Sequence, residues 1–401
     1  MAGFVDRTGT PYVGSRRDFA ARRFSASVPG QPFHVKGAPV NLRTPGPTPI
    51  PPEVAQAGAA AMIDHRGPEF AAIMDRVTKG AKQIFQTQND VMVLTTSGTG
   101  AMEAAVVNFV SPGEKVLVVT IGEFGKRMLE LVEIYGGHPT ELAFEFGKHA
   151  EPDVLDAALK ANPDVTAVLM THNETSTGVT NPLQQLAEVV KKHDKLIIVD
   201  AISSLSSIPV KTDAWNLDVV LSGSQKGWMV APGLAFASVS PRAWEVQAAC
   251  TTPRFYLDLK RAADSAKRGQ TPWTPAVSLF FQLDKAVELL LAEGMENVYT
   301  RQHVQAERVR QGAQALGLEL FAEEGYRSDT VTAIKAPEGY DPTTIRKTAR
   351  ENYGMVLAGG QGPLAGSVFR FGHLGYCTDE DIEEGLGFLK QTMDTLGFAR
   401  K

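Results

Sequence analysis

Cysteine is almost missing from this chain: Cys250 and Cys377 are the only two in 401 residues. Two thiols cannot build a disulfide framework or a four-cysteine zinc site, so a reducing compartment is expected, with the cytoplasm as the location. A basic excess is missing too. Lys and Arg total 40 against 45 Asp and Glu, a net charge of −5, which argues against nucleic acid or an anionic membrane as the main partner. No uninterrupted apolar run approaches the roughly 18 residues of a membrane span. Collagen triplets, repeats and sustained heptads are not present either. What is there is ordinary for a globular protein: 43% hydrophobic, 21% charged and 8% aromatic residues. At about 150 residues per domain, the length allows two or three domains. An α/β enzyme or binding protein with ample core fits these limits.

The first 40 residues differ from the rest. Arg7, Arg16, Arg17, Arg22 and Arg23 sit among Ser and Gly with few acids, and no apolar stretch follows that would make a secretory signal. The segment reads as an N-terminal arm that packs on the body or on a partner subunit, with an organelle transit peptide as the alternative.

Beyond residue 90, short apolar runs alternate with helical stretches. Strands are predicted over 91–95, 115–121, 167–171, 196–200, 219–222 and 234–239, and helices over 101–110, 126–135 and 183–193. Near-continuous apolar strands between helices imply a mostly parallel sheet covered on both faces. Such sheets bind ligands at the carboxyl ends of their strands. After Pro275 the pattern changes. Two long helices, 277–291 and 295–316, precede a strand over 331–336, a helix over 342–353, a strand over 368–371 and a helix over 379–396. The expected division is an arm over 1–40, a large domain over 41–292 and a small C-terminal α/β domain over 293–401.

Four places carry chemistry. In Ser222-Gly-Ser-Gln-Lys226-Gly227 one lysine stands in a loop of small residues directly after an apolar strand. Most lysines are solvated surface charges. Here the small neighbours leave room for a ligand, and a desolvated Lys226 would serve as a Schiff-base nucleophile. The spacing is not that of a phosphate-binding P-loop. Asp200 ends an apolar strand at the expected ligand face, where it can hold a pyridinium nitrogen protonated or simply cap a helix. Ser97-Gly98-Thr99-Gly100 lies between strand and helix, so its N–H groups form an anion cradle. Glu103 stands where a dinucleotide fingerprint would have its third glycine, which weakens a nicotinamide reading. Arg370, in Val368-Phe-Arg-Phe-Gly, is flanked by apolar residues on a strand. It can hold a substrate carboxylate bidentately or sit in a structural ion pair.

In this order the four motifs resemble the class V, fold-type I aminotransferases that use pyridoxal phosphate, and within them the alanine–glyoxylate and serine–glyoxylate group. The likeness runs from about Asn41 to the C-terminus and takes in Thr44-Pro-Gly-Pro-Thr48, His65-Arg-Gly-Pro-Glu-Phe70 and Thr171-His-Asn-Glu-Thr-Ser-Thr-Gly178. It implies a seven-stranded, mostly parallel sheet in the large domain and pyridoxal 5′-phosphate as cofactor, with no metal. By the same resemblance Lys226 holds the cofactor and shuttles the proton, and Asp200 pairs with the pyridine nitrogen. Ile202 lies under the ring, and Phe124 stacks on it where the mammalian-type enzymes have Trp; a core position is the alternative for Phe124. Ser97, Gly98 and Thr99 bind the phosphate, while Thr175 and Gln225 contact the cofactor.

The segment 269–275 resembles a loop that reaches into the neighbouring subunit's site, which implies a homodimer with shared active sites. Gln270 and Thr271 are its expected phosphate contacts, with Thr274 as the competing alignment. Gly46 would help hold the substrate carboxylate beside Arg370. The implied reaction is ping-pong transfer of an amino group from alanine or serine to a 2-oxo acid such as glyoxylate. Arg66 or Arg43 would hold a second acidic group, which keeps aspartate as a donor.

Three rivals fare worse. A cysteine desulfurase of the same class needs a mobile loop cysteine as sulfur acceptor. Cys377 falls downstream of Arg370 and Cys250 falls in the large domain, so neither fits. A nicotinamide oxidoreductase needs a fuller glycine pattern and an acid about 20 residues on; Glu123 has the distance, but the glycines fail. A binding protein that has lost catalysis would not need Lys226, Asp200 and Arg370 together.

Overall fold

The computed structural model describes residues 41–398, so the arm expected over 1–40 lies outside the described residues. Seven strands form the main sheet, in the spatial order Asp90–Leu94, Ala235–Val239, Val219–Gly223, Leu196–Asp200, Ala167–Thr171, Lys115–Thr120 and His138–Ala143. All neighbours run parallel except Ala235–Val239, which is antiparallel to both of its partners. Strand alternation explains the two layers of core. Leu117 and Val119 pack with side chains of helices Pro68–Phe85, Leu183–Lys192 and Val277–Glu293. Val116 and Val118 point the other way, into the layer under helices Gly98–Phe109 and Glu123–Ile134. The edge strand His138–Ala143 is not among the predicted strands. Its side chains are largely exposed and include Pro139, so it carries no apolar pattern.

A second sheet has four strands in the order Asn41–Arg43, Met355–Gly359, Val368–Gly372 and Val331–Lys335. Residues 41–43, assigned from sequence to the large domain, instead pair in parallel with Met355–Gly359. Asn41 is fastened there by Nδ2, which donates to Glu384 Oε2 at 2.8 Å. Three residues are too few to show a period, so nothing in the sequence marks them as part of this sheet. Helices Met295–Ala315, Pro342–Tyr353 and Asp379–Thr395 pack Val309, Ile345 and Leu389 with its Phe369 and Phe371. Asp341 caps the second of these helices and a Thr378–Asp381 capping box starts the third. Among the described residues, no helix is long and apolar enough to cross a membrane.

Candidate active site

Three parallel strands, Ala167–Thr171, Leu196–Asp200 and Val219–Gly223, deliver their carboxyl ends to one edge of the main sheet. The loop after the last of them carries Lys226. Its Nζ donates to the carbonyl of Pro45 at 2.5 Å. Thr48 pins the same turn from its other end: its N–H donates to Gln225 O and its hydroxyl to Lys226 O, each at 3.1 Å. Between them Gly46 has φ 136, and a Cβ there would stand 2.6 Å from Lys226 Nζ. Glycine alone satisfies both the conformation and the approach. Desolvation pushes the Lys226 ammonium down from 10.5 to about 8; Arg370 and Arg127 add repulsion and Asp200 opposes it. A lysine in that state is a usable nucleophile and base near neutral pH.

Asp200 is 3% exposed. Its Oδ1 accepts from the N–H of Ile202 at 2.9 Å. Burial pushes its carboxyl up to about 6, while the Ile202 amide and the positive charges of Lys226 and Arg127 hold it down. A carboxylate so placed can take a hydrogen bond from a protonated ring nitrogen.

Ser97 caps helix Gly98–Phe109, accepting from Gly100 N–H at 3.4 Å. Ser97 and Thr99 are exposed at this helix start and Gly98 is buried. A Cβ on Gly98 would stand 2.9 Å from Ile202 Cδ1, so glycine brings the cradle against Ile202. Arg127 links two neighbours: Nη1 donates to Thr99 Oγ1 at 3.2 Å, and the guanidinium lies 4.8 Å from the centre of the Phe124 ring. Phe124 is half-buried rather than part of the core. Gln225 keeps a buried Oε1 without a hydrogen-bond partner among the described residues. Free helix-start N–H groups, a cation beside them, an aromatic face and an orphaned acceptor suit a phosphorylated, ring-bearing cofactor.

Arg370 is 6% exposed and rises from the smaller sheet. Its Nε donates to Gly359 O and its Nη1 to Thr175 O, both at 2.8 Å. It makes no ion pair among the described residues. Burial pushes its guanidinium down to about 10; Glu174 opposes this and Arg346 adds to it. Thr175 turns its hydroxyl onto Ser203 Oγ at 2.8 Å.

Two expected residues sit in a different set of contacts. Arg66 Nη1 donates to Gln270 Oε1 at 3.0 Å and to Thr271 O at 2.7 Å. Thr271 gives its own hydroxyl to Trp273 O at 2.6 Å. Within one chain, neither Gln270 nor Thr271 hydrogen-bonds the side chains around Lys226, and Thr274 is exposed. Arg43 is not free for a second acidic group. It is 2% exposed, its Nη1 meets Cys377 Sγ at 2.5 Å, and Nη2 stands 4.0 Å from Asp381. Three residues of the site have no signal of their own in the sequence: Arg127, Ser203 and Glu174. Glu174 is fully buried, and burial, with Asp200 adding to it, pushes its carboxyl up to about 7.

The class-V aminotransferase family profile matches residues 40–384. The chain is 43% identical to a protein of Synechococcus sp. (strain PCC 6716) named soluble hydrogenase, small subunit, over 89% of this chain and 94% of that one. It is 38% identical to the L-aspartate–glyoxylate aminotransferase of Paracoccus denitrificans, over 88% of this chain and 91% of the relative. The crystal structure of an alanine–glyoxylate aminotransferase from Nostoc sp. superposes with a TM-score of 0.87 at 29% identity, covering 91% of this chain and 97% of the other. The lysine loop, the anion cradle and the sheet that joins them thus belong to a class-V aminotransferase of fold type I, a family that works with pyridoxal 5′-phosphate.

Proposed function

We propose that the protein moves an amino group from alanine or serine to glyoxylate in a ping-pong reaction. Arg370 carries this proposal: it is buried with no ion-pair partner among the described residues, and its positive charge adds to the desolvation that lowers the Lys226 ammonium. A donor whose α-carboxylate sits on Arg370 presents its Cα–H to Lys226. Pyridoxal phosphate, when bound, supplies the electron sink for the carbon that loses that proton. Lys226 would take the proton from Cα and return it two atoms away, on the far side of the amino nitrogen. Asp200 accepts a hydrogen bond from the ring nitrogen and keeps it protonated. Ser97, Gly98 and Thr99 would offer donors to the phosphate, and Ile202, Phe124, Thr175 and Gln225 would hold the ring. Gly46 leaves space beside Arg370 for the carboxylate. Glyoxylate enters only after the first 2-oxo acid has left and uses the same groups in reverse order, so the kinetics are ping-pong.

The half-buried Gln270 and exposed Thr274, with Thr271 between them, support a homodimer in which this loop completes the phosphate site of a second copy. Two free cysteines support a reducing, cytoplasmic setting. The small domain is taken as 293–401, with 41–43 added to its sheet. Mixing the purified enzyme with pyridoxal phosphate, alanine or serine, and glyoxylate tests the proposal. Glycine must appear in step with pyruvate or hydroxypyruvate, and its absence with both donors rejects the substrate pair.

Aspartate is the second reading, and Arg346 favours it. Its guanidinium lies over Gly359, within 3.2 Å of where a Cβ would be, and its buried Nε has no partner among the described residues. If Arg346 receives the distal carboxylate, Arg346→Ala raises the KM for aspartate and leaves that for alanine unchanged.

A further inference from the structure

Helix Glu123–Ile134 has no capping side chain of its own, because Gly122 precedes it. The cap comes from another stretch of chain. Glu174 Oε2 accepts from the N–H groups of Phe124 and Gly125, at 3.1 and 3.2 Å. Its Oε1 accepts from the N–H of Ser176 at 3.1 Å and from the Ser176 hydroxyl at 2.5 Å. Ser176 Oγ in turn accepts from Glu123 N–H at 3.0 Å. A Cβ on Gly122 would stand 2.4 Å from both Glu174 Cγ and Ser176 Oγ, so the contact is as close as backbone allows. The residue after Glu174 supplies the carbonyl that holds Arg370, and Glu174 in its ionised form favours the charged form of Arg370.

We propose that Glu174 is a positioning residue of the amino-transfer site, fixing the first turn of helix Glu123–Ile134 so that Phe124 keeps its place on the cofactor ring. This rests on the proposed function, since it takes Phe124 to be a ring contact. The helix start presents unpaired N–H groups and a positive dipole end, so an acidic oxygen is the acceptor that suits it. Hydrogen bonds of that kind are about twice as strong as neutral ones. A glutamine has the same shape but only one acceptor oxygen, so its NH₂ must face either Ser176 or the amides of Phe124 and Gly125. The helix start would then be held by fewer acceptors and Phe124 would be less fixed. Asp200 is a like charge that acts on Glu174, and Arg370 an opposite charge coupled to it.

Two measurements on Glu174→Gln test this. In the cofactor-free protein, the amides of Phe124 and Gly125 should exchange hydrogen about tenfold faster than in the parent, while the amides of the main sheet keep their rates. In the loaded protein, cofactor loss to a scavenger is followed by visible absorbance in the parent, Glu174→Gln, Phe124→Leu and the double variant. Both single variants should lose cofactor several-fold faster, and the double variant should be no faster than Phe124→Leu alone, because Glu174 acts through Phe124. Rate increases that multiply in the double variant, or unchanged amide exchange, overturn the proposal while leaving the proposed function standing. A parent protein that takes up no cofactor overturns the proposed function itself, before any variant is made. If Glu174→Gln does not fold, Ser176→Ala, which removes one contact to Glu174 and one to Glu123, carries the same two measurements to the same outcomes.

Discussion

Lys226 Nζ and the carbonyl oxygen of Pro45 are 2.5 Å apart, so a turn near the start of the described chain meets the lysine loop at the reacting nitrogen. Residue 46 is therefore doubly constrained. Gly46→Ala places a methyl group 2.6 Å from Nζ at φ 136. It should cost about 1–3 kcal/mol of stability and also displace the lysine. Thermal melts of the cofactor-free variant check the first effect, and the yield of covalently held cofactor checks the second.

Lys226→Ala should fold, since Lys226 is partly exposed and its one side-chain hydrogen bond among the described residues is to the Pro45 carbonyl. Turnover should fall by at least about a thousandfold, as expected for removal of the group that moves the proton. Denaturing the loaded variant should release all of its cofactor in free form, whereas reduction with borohydride traps it on the parent protein.

The lowered pKa of Lys226 has a signature in pH. Uptake of pyridoxal phosphate by the cofactor-free protein needs the neutral amine, so its rate should rise with pH and reach half its maximum near about 8, well below 10.5. The stability effect has a definite sign. Between about pH 8 and 10.5 the unfolded chain holds a proton on this lysine that the folded chain has lost, so stability rises with pH there. Below about 8 both states carry the proton, and the folded state bears the cost of a desolvated ammonium. Lys226→Met should flatten the melting temperature of the cofactor-free protein across that window; an unchanged slope would reject the shift.

Arg370→Lys keeps a positive charge and loses the planar pair of donors. The KM for the donor amino acid should rise by about 10- to 100-fold, the value of one charged hydrogen bond. Cofactor binding should stay the same, because among the described residues Arg370 bonds only Gly359 O and Thr175 O. Steady-state kinetics together with cofactor titration separate the two.

Strands Ala167–Thr171 and Leu196–Asp200 and helix Pro342–Tyr353 lie where the sequence pattern puts them. The strands are unbroken apolar runs, and the helix opens on Asp341-Pro342, a start signal that tertiary packing does not override. Asn41–Arg43, Met355–Gly359 and His138–Ala143 give no such signal, being short, glycine-ended or exposed at an edge. Asp200 and Arg370 stand out in the sequence because each ends or interrupts an apolar run, and Lys226 because it is the one charge in a loop of small residues. Glu174 does not, since its partners Phe124 and Gly125 lie about 50 residues earlier in the chain and meet it only in the fold. Arg43 reads like a free cation in sequence, yet the fold buries it against Cys377. Gln270 and Thr271 lie in a loop whose contacts in one chain run to Arg66 and Trp273, and no local pattern marks what else that loop reaches.

The visible spectrum of the purified protein, recorded with pyridoxal phosphate and then with alanine, serine or aspartate added singly and no acceptor, bears most directly on amino transfer at Lys226. The protein should be yellow, alanine or serine should bleach it, and glyoxylate should bring the colour back. A protein that stays colourless with added cofactor, or a yellow one that none of the three donors changes, would contradict it.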